Sequence, residues 1–287
     1  MSYPDDLREL VDRTLEGLSF PAVPRTAGLE EAMRYSLLAG GKRVRPVLAL
    51  ATARALGAEP ERCLPAACAI ELIHTYSLIH DDLPAMDDDE LRRGKPTAHV
   101  RFGEDVAILS GDGLFAEAIR LFCEQPGEPG RVLAALRELS AATGLNGMVG
   151  GQYVDVAGGA ADAEALRELH GLKTGRLIAA GVGVVLILEA AGEPETMALR
   201  RFAEELGILF QIVDDILDVT GSDEELGKPR GSDERHGKLT YVSLFGLERA
   251  RELAAESHAR ATQALAEAPG DTGDLEGIAD YVFTRNE

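Results

Sequence analysis

The expected fold is decided by two acidic segments, LIHDDLPAMD at residues 78–87 and FQIVDDILD at residues 210–218. Each one places adjacent aspartates at the end of an apolar, helix-like run. Carboxylates this close repel one another, and burying them unpaired costs several kcal/mol. A hard divalent cation relieves the repulsion, and Mg²⁺ needs only one or two protein carboxylates besides water and phosphate oxygens. The two segments together therefore predict a magnesium site between helices.

The second segment has the spacing of a helical face. Asp214 and Asp218 are four residues apart, so a helix places both on one side, with Asp215 beside them. The first segment cannot work in this way, because Asp81 and Asp87 are six residues apart. Pro84 disfavours helix at the preceding residue, so we expect the chain to leave the helix there and to fold Asp87 back.

Basic residues stand near both segments. In GGKRVRP, residues 40–46, Lys42 and Arg45 come directly before an expected helix N-terminus, which is a natural anion site. This stretch is not a P-loop, because Ser36 occupies the first glycine position and Arg43 the hydroxyl position. Further candidate phosphate ligands are the cations Arg92, Arg93, Lys173, Lys228 and Lys238, together with the hydroxyl of Thr174. Each cation alone is typical of a solvated surface, but the whole set beside two metal sites predicts diphosphate substrates.

The rest of the chain predicts an all-α protein. Of 287 residues, 45% are hydrophobic and only 5% aromatic, with no Trp, which favours helix over strand. Apolar periodicity predicts helices at about 7–18, 28–38, 47–56, 64–82, 106–123, 132–144, 163–188, 195–219 and 241–266. Without repeats or a long polar linker, we expect one domain over residues 1–287, with a central helix wrapped by others.

Charge and cysteine content narrow the class of protein. The net charge of −20 argues against binding to nucleic acid or to anionic membranes. Three cysteines without metal-ligand spacing predict neither a disulfide scaffold nor a zinc site. The N-terminus lacks an apolar signal core, and the longest apolar run, residues 177–188, is too short to span a bilayer. It predicts a helix buried on all sides. A cytoplasmic location is expected.

The motifs of this sequence resemble those of a known family, the trans-isoprenyl diphosphate synthases, and in particular the bacterial farnesyl and plant-type geranylgeranyl diphosphate synthases. The resemblance runs from about Gly28 to the C-terminus. It rests on GGKRVRP at 40–46, HTYSLIHDDLPAMDDDELRRGKPT at 74–97, GQYVD at 151–155, KTG at 173–175 and FQIVDDILD at 210–218, followed by LGK ending at Lys228. One departure is KLTYV at 238–242, where family members commonly have Lys-Ser/Thr-Thr-Tyr-Pro.

The resemblance implies an isoprenoid synthase fold with a central cavity and a role for each motif residue. The first aspartate-rich motif would be Asp81, Asp82 and Asp87, and the second would be Asp214, Asp215 and Asp218. Together they would hold three Mg²⁺ ions, which Mn²⁺ can replace. The allylic diphosphate would be bound by Arg92, Lys173, Thr174, Gln211, Lys228 and Lys238. Isopentenyl diphosphate would be bound by Lys42, Arg45, His74 and Arg93. The catalytic residues would be Asp81, Asp82, Lys173 and Asp214. Gln152 and Asp155 would lie near the second metal site.

The implied reaction is the head-to-tail condensation of isopentenyl diphosphate with dimethylallyl or geranyl diphosphate by a homodimer. Tyr76 and Ser77 would limit chain length, and farnesyl diphosphate is the expected product. The alternatives are a geranylgeranyl diphosphate synthase and a non-catalytic regulatory subunit. A class I terpene cyclase would not need Lys42, Arg45 and an intact second motif, and a regulatory subunit should lack part of the site that this chain retains.

Overall fold

Helices provide almost all regular structure in the computed structural model, which describes residues 2–221 and 238–285; Lys228 lies outside these ranges. The α-helices are α1 Asp5–Gly17, α2 Ala27–Leu37, α3 Val44–Ala55, α4 Leu64–Asp81, α5 Ala98–Phe102, α6 Glu104–Phe122, α7 Pro129–Thr143, α8 Met148–Val156, α9 Ala163–His170, α10 Arg176–Leu188, α11 Glu193–Thr220, α12 Tyr241–Phe245, α13 Leu247–Ala266 and α14 Gly273–Thr284. A 3₁₀ turn covers Pro60–Cys63, a π-helical turn Gly171–Gly175, and a hairpin pairs β1 Leu91–Arg92 with β2 Lys95–Pro96. The predicted all-α class is confirmed.

The centre of the fold is α10, which packs against α3, α7 and α11. Every residue of α10 is buried except Arg176, Ala179 and Ile187, as expected for a helix that is apolar on all faces. By length and composition, the continuous helical run Ala163–Leu188 could cross a membrane. Its position as the core helix accounts for that composition. Helices from α1 to α14 contribute side chains to the one hydrophobic core around it.

The two acidic segments lie where the sequence predicts them. Helix α4 ends at Asp81, and the chain then turns so that the backbone N–H of Asp87 donates to the carbonyl oxygen of Asp81 over 2.9 Å. The predicted return of Asp87 after Pro84 is therefore confirmed. Asp214 and Asp218 lie in the last turns of α11, the longest described helix, with 28 residues.

Some helices begin, end or occur at positions that the apolar periodicity of the sequence does not predict. The expected helix 241–266 is two helices, because Gly246 with φ 80° separates α12 from α13. Helix α3 begins at Val44, three residues before the predicted start at about residue 47, and includes Pro46. Helices α5, α8 and α14 were not predicted. In α8, the pair Gly150 and Gly151 lowers helix propensity, and only contacts with the rest of the fold make that segment helical.

A buried ion pair fixes the start of α3. Arg43 has a left-handed backbone with φ 54°, and its Nη1 donates to Glu71 Oε1 over 2.7 Å. Its Nε donates to Asp12 Oδ1 over 2.9 Å, and its Nη2 donates to the carbonyl oxygen of Leu37 over 2.9 Å. Both side chains of the Arg43–Glu71 pair are only 2% exposed. One guanidinium thus connects α1, α2 and α4 at the loop that carries GGKRVRP.

We expect Glu71→Ala to lower the free energy of unfolding by about 3–5 kcal/mol, because it removes the buried carboxylate partner of Arg43 and leaves only the partly exposed Asp12. Urea unfolding followed by circular dichroism measures this change. The control is Glu252→Ala, which removes an exposed partner of Arg249 and should cost about 1 kcal/mol or less. A cost for Glu71→Ala no larger than that of the control would contradict the assignment.

Candidate active site

A cavity of about 640 Å³ brings both acidic segments together. It lies between α4, α8, the π-helical turn and α11. The predicted site residues that line it are Arg45, His74, Tyr76, Ser77, Asp81, Arg92, Arg93, Lys173, Thr174 and Asp214. Residues that were not predicted from the sequence also line it, among them Met86, Met148, Phe210 and Arg285. The predicted central cavity with its two aspartate-rich motifs is therefore confirmed.

Other predicted residues lie in a smaller adjoining cavity of about 290 Å³. It is lined by Asp155, Lys173, Gln211, Asp215 and Lys238, among others. Lys173 lines both cavities, so the two form neighbouring parts of one polar region. Lys42 lines neither of them. Its ammonium group lies 6.0 Å and 5.0 Å from the ring centroids of Tyr3 and Tyr281, so the structure does not place it with the other predicted ligands of isopentenyl diphosphate.

The first motif contains two carboxylates with different surroundings. Burial raises the pKa of Asp81 to about 6, and the opposing effect of Lys173 is offset in part by the neighbouring Asp87. Within residues 2–221 and 238–285, no side chain or backbone N–H donates to the Asp81 carboxylate. Asp82 is instead held by Arg92, whose Nε and Nη2 lie 2.8 Å and 2.5 Å from Oδ1. Asp82 does not line this cavity, although its partner Arg92 does.

The second motif is held mainly by groups from later in the chain. Asp214 Oδ1 lies 2.5 Å from Nη2 of Arg285, the residue that follows α14. Asp215 accepts hydrogen bonds from Gln211 Nε2 over 3.0 Å and from the backbone N–H of Tyr241 over 2.7 Å. Asp218 is buried. Asp214 therefore faces the main cavity, whereas Asp215 faces the smaller one.

The π-helical turn Gly171–Gly175 presents Lys173 to the site. Lys173 Nζ donates to Asp155 Oδ2 over 2.6 Å. A Cβ atom at Gly151 would lie 2.3 Å from the backbone nitrogen of Lys173, so only glycine allows α8 to touch this turn. Burial alone would raise the pKa of Asp155, but Lys173 and Lys238 lower it below its usual value. The GQYVD motif thus supplies both the contact surface and the counter-ion of Lys173.

Lys238 closes the polar region from the other side. Its Nζ lies 2.9 Å from Asp87 Oδ1 and 3.4 Å from Asp155 Oδ2. The departure from the family pattern at Leu239 and Val242 does not prevent this contact. Thr240 caps α12 through a capping box with Ser243, which fixes the turn after Lys238.

A cationic cluster also lines the main cavity, and within residues 2–221 and 238–285 its arginines form no ion pair with a carboxylate. Burial lowers the pKa of Arg45 to about 10, and its Nη1 lies 3.3 Å from His74 Nε2. Burial and Arg45 hold the pKa of His74 well below its usual value, so a neutral His74 accepts this hydrogen bond. The Nε atom of Arg45 is buried without a partner among the described residues. Arg93 also lines this cavity and donates to the carbonyl oxygen of Gly40. The positive charge of Arg45 and Arg93 and the unpaired Nε of Arg45 suit an anionic ligand.

Two aromatic residues form a floor below the first motif. The ring of Tyr76 on α4 contacts the ring of Phe115 on α6, with centroids 5.5 Å apart. The Ser77 hydroxyl donates to the carbonyl oxygen of His74 over 2.8 Å, so it is already engaged by its own helix. Phe115 was not predicted from the sequence, because its pairing with Tyr76 joins residues that are distant along the chain.

Gln152 was expected near the second metal site, and it lines the main cavity, as Asp214 of the second motif does. Both its amide nitrogen and its amide oxygen are buried, and neither has a partner in the described part of the chain. Arg285 was not predicted at all. It belongs to none of the motifs in the sequence.

The donor set suits a hard divalent cation. Among the described residues, no group of three or more His, Cys, Asp and Glu side chains converges closely enough to hold an ion alone. Mg²⁺ does not require such a group, because it takes few carboxylates and completes its shell with water and phosphate oxygens. Asp81 is a half-buried carboxylate without a hydrogen-bond donor in this part of the chain, and every candidate ligand is a carboxylate oxygen. The residues present fit Mg²⁺ bound together with a diphosphate.

Comparisons with known proteins identify the family of this chain. The family model described as polyprenyl synthetase matches residues 26–282. The farnesyl diphosphate synthase of Geobacillus stearothermophilus is 45% identical over 96% of this chain and 93% of its own length. The heterodimeric geranylgeranyl pyrophosphate synthase large subunit 1 of Arabidopsis thaliana, a chloroplastic protein, is 46% identical over 99% of this chain and 79% of its own length.

A solved structure from Helicobacter pylori, described as a geranyltransferase complexed with magnesium and isoprenyl diphosphate, superposes with a TM-score of 0.88. It is 32% identical and covers 99% of this chain and 98% of its own. The fold predicted from the resemblance is confirmed by this agreement, and the motifs that carried the resemblance all lie within the matched residues. The chain belongs to the polyprenyl synthetase family.

Proposed function

We propose that this chain is a prenyltransferase that condenses isopentenyl diphosphate with an allylic diphosphate to give a short-chain isoprenyl diphosphate. The observation that carries the proposal is that one cavity is lined by both signs of charge. The carboxylates of Asp81 and Asp214 line it, and so does the cationic cluster of Arg45 and Arg93. An apolar floor lies below the first motif. Two diphosphates and a hydrocarbon chain match these three surfaces.

The proposed cofactor is Mg²⁺, with three ions in the active site. Asp81, Asp87 and Asp214 would hold them, with Asp82, Asp215 and Asp218 completing the motifs. When bound, Mg²⁺ supplies positive charge to the departing diphosphate and so favours ionisation of the allylic carbon–oxygen bond. The similar Helicobacter pylori protein, whose structure is described as a complex with magnesium and isoprenyl diphosphate, supports this assignment.

The chain's own cations would bind and orient the substrates. Lys173, Arg92 and Lys238 are paired with carboxylates in the described structure, and they can donate to the oxygens of an allylic diphosphate when it enters. Arg45 and Arg93 would hold isopentenyl diphosphate, so that its double bond meets the allylic cation in a positioned reaction. The proton lost at the end of the cycle would go to the released diphosphate. Apolar walls keep water from the cation.

The metal assignment predicts that Asp81→Ala and Asp214→Ala each lower turnover by at least about 100-fold, because each removes a group that organises charge in the transition state. Activity should also disappear with a chelator and return with Mg²⁺ or Mn²⁺. Asp81→Ala should leave metal-free stability unchanged or higher, since burial already disfavours its ionised form. Near-normal turnover in both variants, or activity without metal, would contradict the assignment of Asp81 and Asp214 as metal ligands.

We propose farnesyl diphosphate as the main product. The ring of Tyr76, backed by Phe115, stands as a barrier on the helix that carries the first motif. Tyr76 lies five positions before Asp81, and a chain that grows by five carbons per cycle would meet this ring after few additions. The similar proteins include both farnesyl and geranylgeranyl diphosphate synthases, so geranylgeranyl diphosphate is the second candidate product.

Tyr76→Ala should open the floor and shift the product mixture toward longer chains. Chromatography of products formed from isopentenyl diphosphate with each allylic primer measures the shift. Tyr35→Ala is the matched control, because Tyr35 packs against Phe102 rather than lining the cavity. If the unaltered enzyme already makes mainly twenty-carbon product, or if Tyr76→Ala leaves the mixture unchanged, Tyr76 does not set product length.

We propose that the enzyme is a homodimer. Apolar side chains on α6 and α8 are exposed, including Leu109 at 54%, Phe115 at 41% and Tyr153 at 73%. Exposed apolar side chains of this size are typical of a protein interface. Because Phe115 also supports Tyr76, a partner that covers α6 would stabilise the floor.

Light scattering at micromolar concentration should therefore give twice the chain mass of 30.6 kDa. Leu109→Glu should shift the protein toward monomer, because a charge is costly in an apolar interface. Leu133→Glu, at an exposed leucine on α7 outside this group, should leave the mass unchanged. A monomeric unaltered protein would refute the dimer.

A further inference from the structure

The last described residue, Arg285, reaches back to the second acidic segment. Its Nη2 lies 2.5 Å from Asp214 Oδ1 and donates to the carbonyl oxygen of Phe210 over 3.2 Å. Its guanidinium carbon lies 4.1 Å from the centroid of the Phe210 ring. These contacts fix the guanidinium on one turn of α11, at the entrance to that motif.

This arrangement differs from the other ion pairs of the site. Arg92 and Lys238 pair with Asp82 and Asp87, and both cations are already expected to bind diphosphate. Arg285 belongs to no motif of the sequence, yet it lines the main cavity together with Asp214. It therefore holds the carboxylate that faces the proposed metal site.

A divalent cation at Asp214 must compete with this guanidinium. Two positive groups beside one carboxylate repel each other, so the Arg285 contact weakens when the cation binds. The guanidinium has a second anion site within reach, because Arg45 lies over the same Phe210 ring at 5.8 Å. Nε of Arg285 is buried without a partner in the described structure, so one donor is free for a diphosphate oxygen.

We propose that Arg285 is an internal counter-ion that competes with the divalent cation for Asp214 and is released to a diphosphate when the cation binds. This inference rests on the proposed function, because it assumes that Asp214 is a metal ligand. Arg285 is then a positioning residue. In the metal-free site it neutralises Asp214 of the second motif. Its release couples the two ligands, so that bound metal raises the affinity for diphosphate and bound diphosphate raises the affinity for metal.

The test measures binding of Mn²⁺ alone to the full chain, by the electron paramagnetic resonance signal of free Mn²⁺. Without diphosphate, Arg285→Gln should bind Mn²⁺ about fivefold more tightly than the unaltered protein. With inorganic diphosphate present, the difference should fall below about twofold, because diphosphate then engages Arg285 in the unaltered protein. In an Asp214→Asn background, Arg285→Gln should have no effect on Mn²⁺ affinity.

The matched control is Arg54→Gln. Arg54 Nη1 lies 2.7 Å from Asp274 Oδ2, so it also anchors α14, but away from the acidic segments. A role of Arg285 in anchoring alone predicts lower thermal stability for both variants and unchanged Mn²⁺ affinity. Arg285→Lys keeps the charge and should bind Mn²⁺ with an affinity between the two, which supplies the test if Arg285→Gln does not fold.

Equal Mn²⁺ affinity in the unaltered protein, Arg285→Gln and Arg285→Lys overturns this inference and leaves the proposed function intact. The same increase in Arg54→Gln also overturns it. Absence of Mn²⁺ binding to every variant, with and without diphosphate, overturns the metal assignment itself and this inference with it.

Discussion

Repulsion between carboxylates is the constraint on which the site depends. Asp81 and Asp82 are adjacent in sequence, and the turn after Pro84 brings Asp87 back beside them. The fold relieves this repulsion by pairing, with Arg92 on Asp82 and Lys238 on Asp87. Asp81 is left without a donor among the described residues. A site compensated in this way is stable without metal, and it exchanges protein partners for metal and phosphate when substrates arrive.

Much of this could be predicted from sequence, because the deciding interactions are local. The all-α class follows from composition and periodicity, and the return of Asp87 follows from the effect of proline on the residue before it. Most cations selected from the motifs do line the two polar cavities. The buried character of α10 also follows from its sequence, since a helix that is apolar on every face has no surface to present to water.

What the sequence could not predict depends on contacts between distant parts of the chain. Lys42 lies in a basic motif, but its ammonium group lies over the rings of Tyr3 and Tyr281. The residues around Lys42 in the sequence do not indicate that its side chain contacts these distant rings. Asp215 is held by the backbone of Tyr241, and Asp214 by Arg285. Neither partner shows a pattern that links it to α11. Helix α8 was missed because its glycines oppose helix locally, while the fold needs them there.

Those glycines show how the motifs position charge. At Gly151, a Cβ would strike the backbone of Lys173, and at Gly41 a Cβ would lie 2.7 Å from the Arg93 guanidinium carbon. Gly41 also has φ 118°, which disfavours other residues. In both cases the missing side chain lets one element approach a cation on another, and so sets where that cation can meet a phosphate. The glycines of GGKRVRP and GQYVD therefore act on charge placement, although they carry no charge. A methyl group at either position would displace a cation of the site but leave the net charge of the site unchanged. The effect of where the charge lies can therefore be distinguished from the effect of how much charge there is.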